Sequence, residues 1–484
     1  MKENVDVIVV GAGGNSLGTA AYLAKEGLDV LVLERNADIG GGVITKEVTA
    51  PGFKHDLHST AHMFIQANPM IYKDELGLQE KFGLKYIESE AFFSSVFPDG
   101  SSLITYGDLE KTCASIAKFS KRDADAYRNF VAKTRKLLPL FQMGLFNPPM
   151  PFGGFMAMLD QSPDGKTMIG DMLKSSFDLV LEMFENEKVK MHFMRWSSES
   201  MMAPETRGSG SVLYLMCSFI HIYKAKFPEG GSGALSHSLQ RCIEHYGGEV
   251  VTSAPVKKLI MKNGKAAGVI LDDGREVHAK RAVVACVHPL LLNDFVGGDL
   301  ESGIQDSISK IVHADYSAFN SHYALHEAPK YKYDDLDPTR APEGKSTLYL
   351  YTFMPYHLAN GGAAKWDEVK GDVAKNMMKS LKDFTTNMTD DNIIQGYAES
   401  PLDMYRHSAS FQNGDIGGAG LFMFQFMGRR PTPELANYAV PGFNGLYLVG
   451  PFMHPGGGVI GGGRPVAIKV LRDLGMPTDG FATL

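Results

Sequence analysis

The N-terminal stretch VDVIVVGAGGNSLGTAAYLAKEGLDVLVLER constrains the fold more than any other part of the chain. Its apolar run Val5–Val10, rich in β-branched residues, predicts a strand buried on both faces. A glycine-rich turn follows, then helical spacing over residues 17–25 and a second apolar strand over residues 30–33. This order predicts a Rossmann βαβ unit, which binds a dinucleotide at the turn between its first strand and its helix.

Single residues of this unit have predicted tasks. Gly11 permits the tight turn, and Gly13 lets the backbone approach a pyrophosphate, which the N-terminal end of the helix also attracts. Glu34 ends the second strand and can accept hydrogen bonds from ribose hydroxyls. Asn15 and Ser16 complete the predicted phosphate loop. Ser16 stands where the fingerprint has its third glycine, so the match is complete except at that position.

A second glycine segment, ERNADIGGGVITKEV, follows directly. It resembles the R-x-x-x-x-G-G motif that follows the Rossmann unit in FAD enzymes of the amine oxidase and phytoene desaturase superfamily. The resemblance implies FAD rather than NAD, because a second glycine turn can run beside the flavin half of the cofactor. The predicted contacts here come from five residues: Arg35, Gly40, Gly41, Gly42 and Val43.

The closing segment GLYLVGPFMHPGGGVIGG predicts a strand over residues 446–449, a glycine loop, and a helix from Val466. It resembles the C-terminal signature of phytoene desaturase-like FAD oxidoreductases, which include carotenoid desaturases, isomerases and ketolases and retinol saturases. Amine oxidases fit less well, since Pro451 follows the strand glycine where they carry an acid. The resemblance implies cofactor contacts at Gly450, Gly457, Gly458 and Val459, and at Val256 in the similar stretch 227–289. Within that stretch Asn263-Gly264 and Asp273-Gly274 predict hairpin turns.

A chain of 484 residues exceeds one compact core. We expect an α/β fold, in which a Rossmann-like FAD-binding domain (1–85, 226–300 and 436–484) is interleaved with an α+β substrate domain (86–225 and 301–435). The resemblance implies an FAD-dependent enzyme that dehydrogenates a C–C bond of a hydrophobic, terpenoid or carotenoid-like substrate by hydride transfer to flavin N5. Alkene reduction and polyene isomerisation remain alternatives, as does a flavin-binding partner protein without turnover.

Histidines are the candidates for proton transfer, because their side chains titrate near neutral pH. His454 in the closing loop is the first candidate, either as a proton carrier or as the residue that sets the loop. His62 is the second, since its segment HDLHSTAH resembles the family's flavin-flanking strand. No metal is expected on His55, His58 and His62, because no carboxylate–histidine pattern accompanies them.

Composition limits the partners and the location. The net charge of −7 gives no electrostatic case for nucleic acid. No secretory signal is visible, and the best candidate for a membrane span, from Leu137, contains Pro139, Pro148, Pro149 and Pro151, so it should break as a helix. We therefore expect a cytoplasmic protein, with methionine-rich segments that form a substrate tunnel, a peripheral membrane contact or plain core. The electron acceptor (oxygen, a quinone or a redox protein) and the oligomeric state stay open.

Overall fold

The computed structural model describes residues 1–330, 341–457 and 460–481. The strands are β1 Asn4–Val10, β2 Val30–Leu33, β3 Thr45–Lys46, β4 His55–Asp56, β5 Tyr86–Glu88, β6 Ala91–Val96, β7 Ser102–Tyr106, β8 Lys226–Pro228, β9 Glu249–Val251, β10 Val256–Lys262, β11 Lys265–Leu271, β12 Glu276–Ala285, β13 Ser317–Leu325, β14 Ser346–Met354, β15 Ile393–Glu399 and β16 Leu446–Leu448. The helices are α1 Gly14–Lys25, α2 Met63–Gln66, α3 Pro69–Tyr72, α4 Leu109–Ala117, α5 Lys121–Phe146, α6 Phe152–Leu159, α7 Pro163–Leu173, α8 Ser176–Met183, α9 Glu187–Ser197, α10 Ser211–Tyr223, α11 Gly233–His245, α12 Leu292–Phe295, α13 Ser302–Ser309, α14 Trp366–Lys382, α15 Pro401–His407 and α16 Gly463–Asp473.

The largest sheet has seven strands in the order β10-β11-β12-β1-β2-β9, and β16 also pairs with β12. β1 lies between β2 and β12 and runs parallel to both. Its residues from Val7 to Val10 are buried, as are all four residues of β2, because helices α1, α11 and α16 cover the sheet through a shared apolar core. The predicted Rossmann-like α/β architecture is confirmed.

Strands far apart in sequence meet in this sheet. β9 pairs with β2 in parallel, and β16 pairs with β12 in parallel, although about 160 residues separate the last two. The predicted turns at Asn263-Gly264 and Asp273-Gly274 join β10 to β11 and β11 to β12, which are antiparallel pairs. The sheet therefore collects strands from the beginning, the middle and the end of the chain.

A second sheet, in the antiparallel order β14-β13-β15, carries helix α14 on one face through Phe319, Tyr323 and Trp366. Helices α4 to α10 pack around a separate apolar core that includes Tyr127, Phe193 and Trp196. These elements form the α+β part of the predicted fold. The residue boundaries assigned to the two domains stay a prediction.

The apolar stretch from Leu137 does not form one continuous helix, as predicted, although the break comes at residues 147–151 and not at Pro139. Helix α5 runs from Lys121 through Pro139 to Phe146, and the chain leaves it at Asn147, immediately before Pro148. A helix of this length has packing on several sides to hold it, which offsets the one backbone hydrogen bond that the proline removes. Among the described residues, no helix has the length and apolar character needed to cross a bilayer.

Candidate functional site

A cavity of about 400 Å³ opens at the carboxyl ends of β1, β2 and β12. Parallel α/β sheets bind their ligands at this end of the strands. Nine of the sequence-predicted cofactor residues line it: Gly11, Gly13, Asn15, Ser16, Glu34, Arg35, Gly41, Gly42 and Val256. Gly40, Val43, Gly450 and Gly457 are not part of its lining, and Gly458 and Val459 lie outside the described residues.

The first glycine loop has the shape that a pyrophosphate needs. Gly11 has a positive φ of 89°, where a side chain would be strained. A Cβ added at Gly13 would meet no protein atom within 4 Å, although Gly13 lines the cavity. Helix α1 begins at Gly14 without a side-chain cap and without an acid in its first turn. Its first backbone N–H groups are therefore available to an anion.

Ser16 and Glu34 supply the polar groups at the two ends of this loop. The Ser16 hydroxyl is buried and has no hydrogen-bond partner among the described residues. Glu34 is 8% exposed, and its Oε2 accepts a hydrogen bond of 2.7 Å from the Ala12 backbone N–H. Its Oε1 accepts from the Asn36 N–H at 2.8 Å. Each oxygen retains a second lone pair, so the carboxylate can still accept from a hydroxyl. This arrangement fits a dinucleotide, because Gly13 leaves open space, the Ser16 hydroxyl has no partner among the described residues and the Glu34 carboxylate can accept further hydrogen bonds.

The second glycine segment is joined to the first. The Gly40 N–H donates to the Ala12 carbonyl at 2.8 Å, and a Cβ on Gly41 would lie 3.1 Å from the Gly13 Cα. Val43 is fully buried, and its carbonyl accepts from the Ser236 hydroxyl at 2.7 Å. Gly40 and Val43 thus hold the segment in place, while Gly41 and Gly42 face the cavity.

The closing loop meets the phosphate loop directly. The Gly462 N–H donates to Asn15 Oδ1 at 2.8 Å, and the Gly463 carbonyl accepts from the Thr19 hydroxyl at 3.1 Å. Pro451 lines the large cavity. Gly457 lines a different, apolar cavity on the other side of the loop. The described part of the closing loop therefore lines both cavities, with Pro451 on the large one and Gly456 and Gly457 on the apolar one.

Arg430 fixes the shape of the closing loop. It is fully buried, and its guanidinium donates five hydrogen bonds to backbone carbonyls. The acceptors are Gly417, Ala419, Gly420, Pro451 and Met453. Burial lowers the pKa of Arg430 to about 10, so it keeps its charge at neutral pH. Arg430 lies in the short sequence Arg429-Arg430-Pro431, and no local pattern there predicts its contacts.

The apolar cavity has a volume of about 120 Å³ and lies between α2, α5, α10 and the closing loop. A smaller space of about 20 Å³ shares Leu145, Leu215 and Phe426 with it. Phe64, at one end, is 42% exposed, so the cavity reaches the surface there. Methionines such as Met168 and Met172 line the inner space, while most methionines of this region belong to the helical core.

His454 and His62 do not line either of these cavities. The His454 ring is fully buried, with no hydrogen-bond partner for either nitrogen among the described residues, and burial lowers its pKa to about 3. His62 Nδ1 lies 3.1 Å from the Tyr86 hydroxyl, and its Nε2 lies 3.0 Å from Ser232 Oγ at the start of α11. Catalysis by either histidine stays a prediction, and these contacts favour packing roles.

Several cavity residues escaped the sequence analysis. Residues 407–411, which follow α15, and residues 286–288, which follow β12, form part of the lining. His288 Nε2 lies 2.6 Å from the Gly418 carbonyl, and burial lowers the pKa of this histidine to about 4. The position of residues 286–288 after a buried strand was a usable signal. No local pattern marks residues 407–411, which reach the cavity only through the packing of α15.

Comparisons with known proteins agree with this geometry. A family model described as an NAD(P)-binding Rossmann-like domain matches residues 9–72. The chain is 26% identical to a limonene dehydrogenase polypeptide of Castellaniella defragrans, over 98% of this chain and 96% of that protein. It is 28% identical to pyridine nucleotide-disulfide oxidoreductase domain-containing protein 2 of Rattus norvegicus (98% and 94% covered). Identity to a lycopene-forming phytoene desaturase of Pseudescherichia vulneris is 23% (98% and 100% covered).

Among solved structures, an oxidoreductase from Methanosarcina mazei matches with a TM-score of 0.62 and 16% identity, covering 97% of this chain and 100% of that one. At this identity the likeness shows the fold alone. Together with the cavity, the comparisons show an oxidoreductase that carries a Rossmann-like dinucleotide-binding domain and is similar to FAD-dependent enzymes of the amine oxidase and desaturase superfamily. Within it, the homologues are phytoene desaturases and a limonene dehydrogenase, so the predicted resemblance and the predicted cofactor FAD are confirmed.

Proposed function

We propose that this protein is an FAD-dependent dehydrogenase that introduces a C–C double bond into a hydrophobic substrate of the terpenoid class. The observation that carries the proposal is the pair of cavities that the closing loop lines, one at Pro451 and the other at Gly456 and Gly457. One is lined by the glycines of the Rossmann turn together with Glu34 and Arg35, and the other is lined mainly by apolar side chains. The printed names of the full-length homologues support the substrate class, since they include a limonene dehydrogenase and phytoene desaturases.

The cofactor roles divide along the large cavity. Gly13, Ser16 and the N-terminus of α1 would hold the pyrophosphate, and Glu34 would accept from the ribose near the adenine. Val256 begins β10 at the same end and would offer its backbone to the adenine. Arg35, Gly41 and Gly42 would line the middle of the cofactor. Gly450 and Gly457 would shape the wall at its flavin end, while the predicted contacts of Gly458 and Val459 lie outside the described residues.

The protein's own contribution to the reaction is placement and exclusion of water. A bound flavin supplies a hydride acceptor. Leu145, Leu215 and Phe426 form an apolar surface that would bind a hydrocarbon chain and keep water from the reacting carbon. Phe64, partly exposed at the end of this cavity, would form the entrance. Contact of this entrance with a membrane would deliver a substrate that is insoluble in water, and the same surface would meet a quinone as electron acceptor.

The test is anaerobic flavin reduction. The purified, flavin-loaded protein is mixed with a cyclic monoterpene or an acyclic carotenoid precursor, and loss of the oxidised flavin spectrum is followed. We expect bleaching and a product two hydrogen atoms lighter than the substrate. In the variant Leu215→Lys, which places a charge in the apolar cavity, flavin stays bound and bleaching slows at least about tenfold, a barrier change of about 1.4 kcal/mol. Leu173→Lys, at a position 63% exposed, is the matched control.

Two outcomes would overturn the proposal. If the protein binds no FAD under any condition, its Rossmann unit has a different function. Protein whose flavin is never bleached by any hydrocarbon, and whose reduced flavin is reoxidised by no alkene, is a flavin-binding partner without turnover. Reoxidation of reduced flavin by an alkene alone would reverse the direction of the proposed reaction.

A further inference from the structure

The three histidines of HDLHSTAH separate in the fold. His55 Nε2 lies 2.7 Å from Thr49 Oγ1, and its ring meets His322 at 5.3 Å between centroids. His62 contacts Tyr86 and Ser232, as described above. His58 points elsewhere, toward the end of β15 and the end of α15. The expectation that these three histidines hold no metal stays a prediction, and His58 has neighbours other than His55 and His62.

His58 lies close to Glu399 and His407, which are more than 300 positions further along the chain. His58 Nδ1 lies 3.7 Å from Glu399 Oε2, and the rings of His58 and His407 have centroids 5.1 Å apart. One ligand atom from each of the three residues lies within 4.8 Å of the others. Among the residues that the structure describes, no other group of three or more His, Cys, Asp or Glu side chains comes this close together.

The polar atoms that face one another here are buried without partners. The side chains of His58 and Glu399 are 2% and 3% exposed. Both ring nitrogens of His58 and Glu399 Oε2 lack a hydrogen bond within the described residues, since 3.7 Å exceeds the hydrogen-bonding distance. Buried polar atoms in native proteins are normally satisfied, so an unpaired group of this kind indicates a ligand that joins them.

We propose that His58, Glu399 and His407 bind one zinc-class divalent metal ion. Two imidazole nitrogens and one carboxylate oxygen are a donor set that zinc uses when one coordination position stays open. Movement of about 1 Å would bring ligand atoms that now lie within 4.8 Å of one another onto a common ion with bonds of about 2.0 Å. The proposal does not depend on the substrate or on the direction of the flavin reaction.

The ion would connect three segments that the sheets leave separate. His58 follows β4, Glu399 ends β15, and His407 ends α15 and lines the large cavity. Binding would therefore fasten the second sheet to the N-terminal part of the chain. It would also place positive charge behind the cavity wall. Because a metal bound only by the folded state stabilises that state, zinc should raise the unfolding temperature.

A second histidine–carboxylate pair provides a matched control. His313 Nδ1 lies 3.6 Å from Asp415 Oδ2, and both side chains are largely buried. Asp415 is already satisfied, since it accepts from the Gly417 N–H at 2.8 Å and the Ala314 N–H at 2.9 Å. Within the described residues, the pair of His313 and Asp415 has no third metal-ligating side chain nearby, as His407 is for His58 and Glu399. His313→Asn should therefore leave metal binding unchanged.

The experiment measures zinc directly. The full-length, flavin-loaded protein is stripped with a chelator, titrated with Zn²⁺, desalted and analysed by elemental mass spectrometry. We expect about one zinc per chain, a midpoint of thermal unfolding raised by several degrees, and X-ray absorption distances of about 2.0 Å to nitrogen and oxygen. His58→Asn and Glu399→Gln should lower the stoichiometry at least about tenfold, while His313→Asn keeps it.

The wild-type protein alone can overturn the proposal, which removes the risk that a variant fails to fold. Less than about 0.1 zinc per chain after titration, with no change in the unfolding midpoint, would mean that the three side chains share a proton instead of a metal. Equal zinc content in His58→Asn, Glu399→Gln and His313→Asn would place the ion elsewhere. Either result excludes the site.

Discussion

Asn15 and Gly462 are 447 positions apart in the chain, yet the Gly462 backbone N–H donates a 2.8 Å hydrogen bond to the Asn15 side chain. The contact closes the phosphate loop against the C-terminal glycine loop. Asn15 is 4% exposed, so removal of its side chain leaves a buried donor unsatisfied. The two loops therefore form a single site, although each has its own place in the sequence.

Asn15→Ala should lower the free energy of unfolding by about 1–3 kcal/mol, the usual penalty for an orphaned buried donor. It should also weaken FAD binding, because the first turn of α1 loses its tie to the closing loop. Urea unfolding and flavin retention on gel filtration measure the two effects. Asn376→Ala, on an exposed position of α14, is the control and should change neither. Unchanged stability in Asn15→Ala would show that the contact is not maintained in solution.

Gly13→Ala should separate cofactor binding from folding. A Cβ at this position meets no protein atom within 4 Å and the φ of Gly13 is ordinary, so unfolding of the cofactor-free protein should change by no more than about 1 kcal/mol. The methyl group would project where the pyrophosphate approaches, so the Kd for FAD should rise at least about tenfold. Titration with FAD, followed by flavin fluorescence, measures it. Gly153→Ala, on α6 with equal space, should bind FAD normally.

The free energy of unfolding should fall in acid, in part because of His192. Its ring is buried and lies 2.8 Å from both Ser95 Oγ and Thr105 Oγ1, and burial lowers its pKa to about 3. In the unfolded chain the group titrates near 6.5, so the unfolded state binds the proton between these two values. Stability is therefore complete above about pH 6.5 and falls toward pH 3, by as much as about 1.4 kcal/mol per pH unit for this one group.

His192→Gln should flatten that dependence between pH 6.5 and pH 4, because glutamine keeps a hydrogen-bonding side chain and cannot titrate. The difference between the unfolding free energies of wild type and variant, measured across this range, isolates the histidine. The control His278→Gln changes a side chain that is 47% exposed. Parallel pH curves for wild type and His192→Gln would contradict the prediction.

His454→Gln tests the role of the closing-loop histidine. Since burial lowers the pKa of His454 to about 3 and the ring lines neither cavity, we expect the pH profile of flavin reduction between pH 6 and 8 to stay the same. The unfolding midpoint should fall, because the loop packs around this ring. Loss of an ionisation from the pH profile, with the midpoint unchanged, would identify His454 as a proton carrier. His245→Gln, at the exposed end of α11, is the comparison.

Much of the cofactor site could be predicted because its parts are local. The strand at 4–10, the helix at 14–25 and Glu34 form one continuous unit, whose periodicity and glycine spacing are visible in a single stretch. The hairpin turns at Asn263 and Asp273 were visible for the same reason. The break in the apolar stretch from Leu137 could be predicted from its four prolines, but its position after Phe146 could not, because tertiary packing carries helix α5 through Pro139.

Short-range patterns along the chain are enough to establish a Rossmann unit that binds a dinucleotide, since they set strand, helix and turn. The distant residues that complete the site are known from the folded molecule alone. Asn15 reaches Gly462, Arg430 gathers five carbonyls, and His58 meets Glu399 and His407. Contacts across hundreds of residues depend on how sheets and helices pack, and packing leaves no periodic trace along the chain. Dinucleotide binding could therefore be predicted from local pattern, and FAD from the family resemblance of the glycine segments, whereas the contacts that join these segments and the proposed metal site could not.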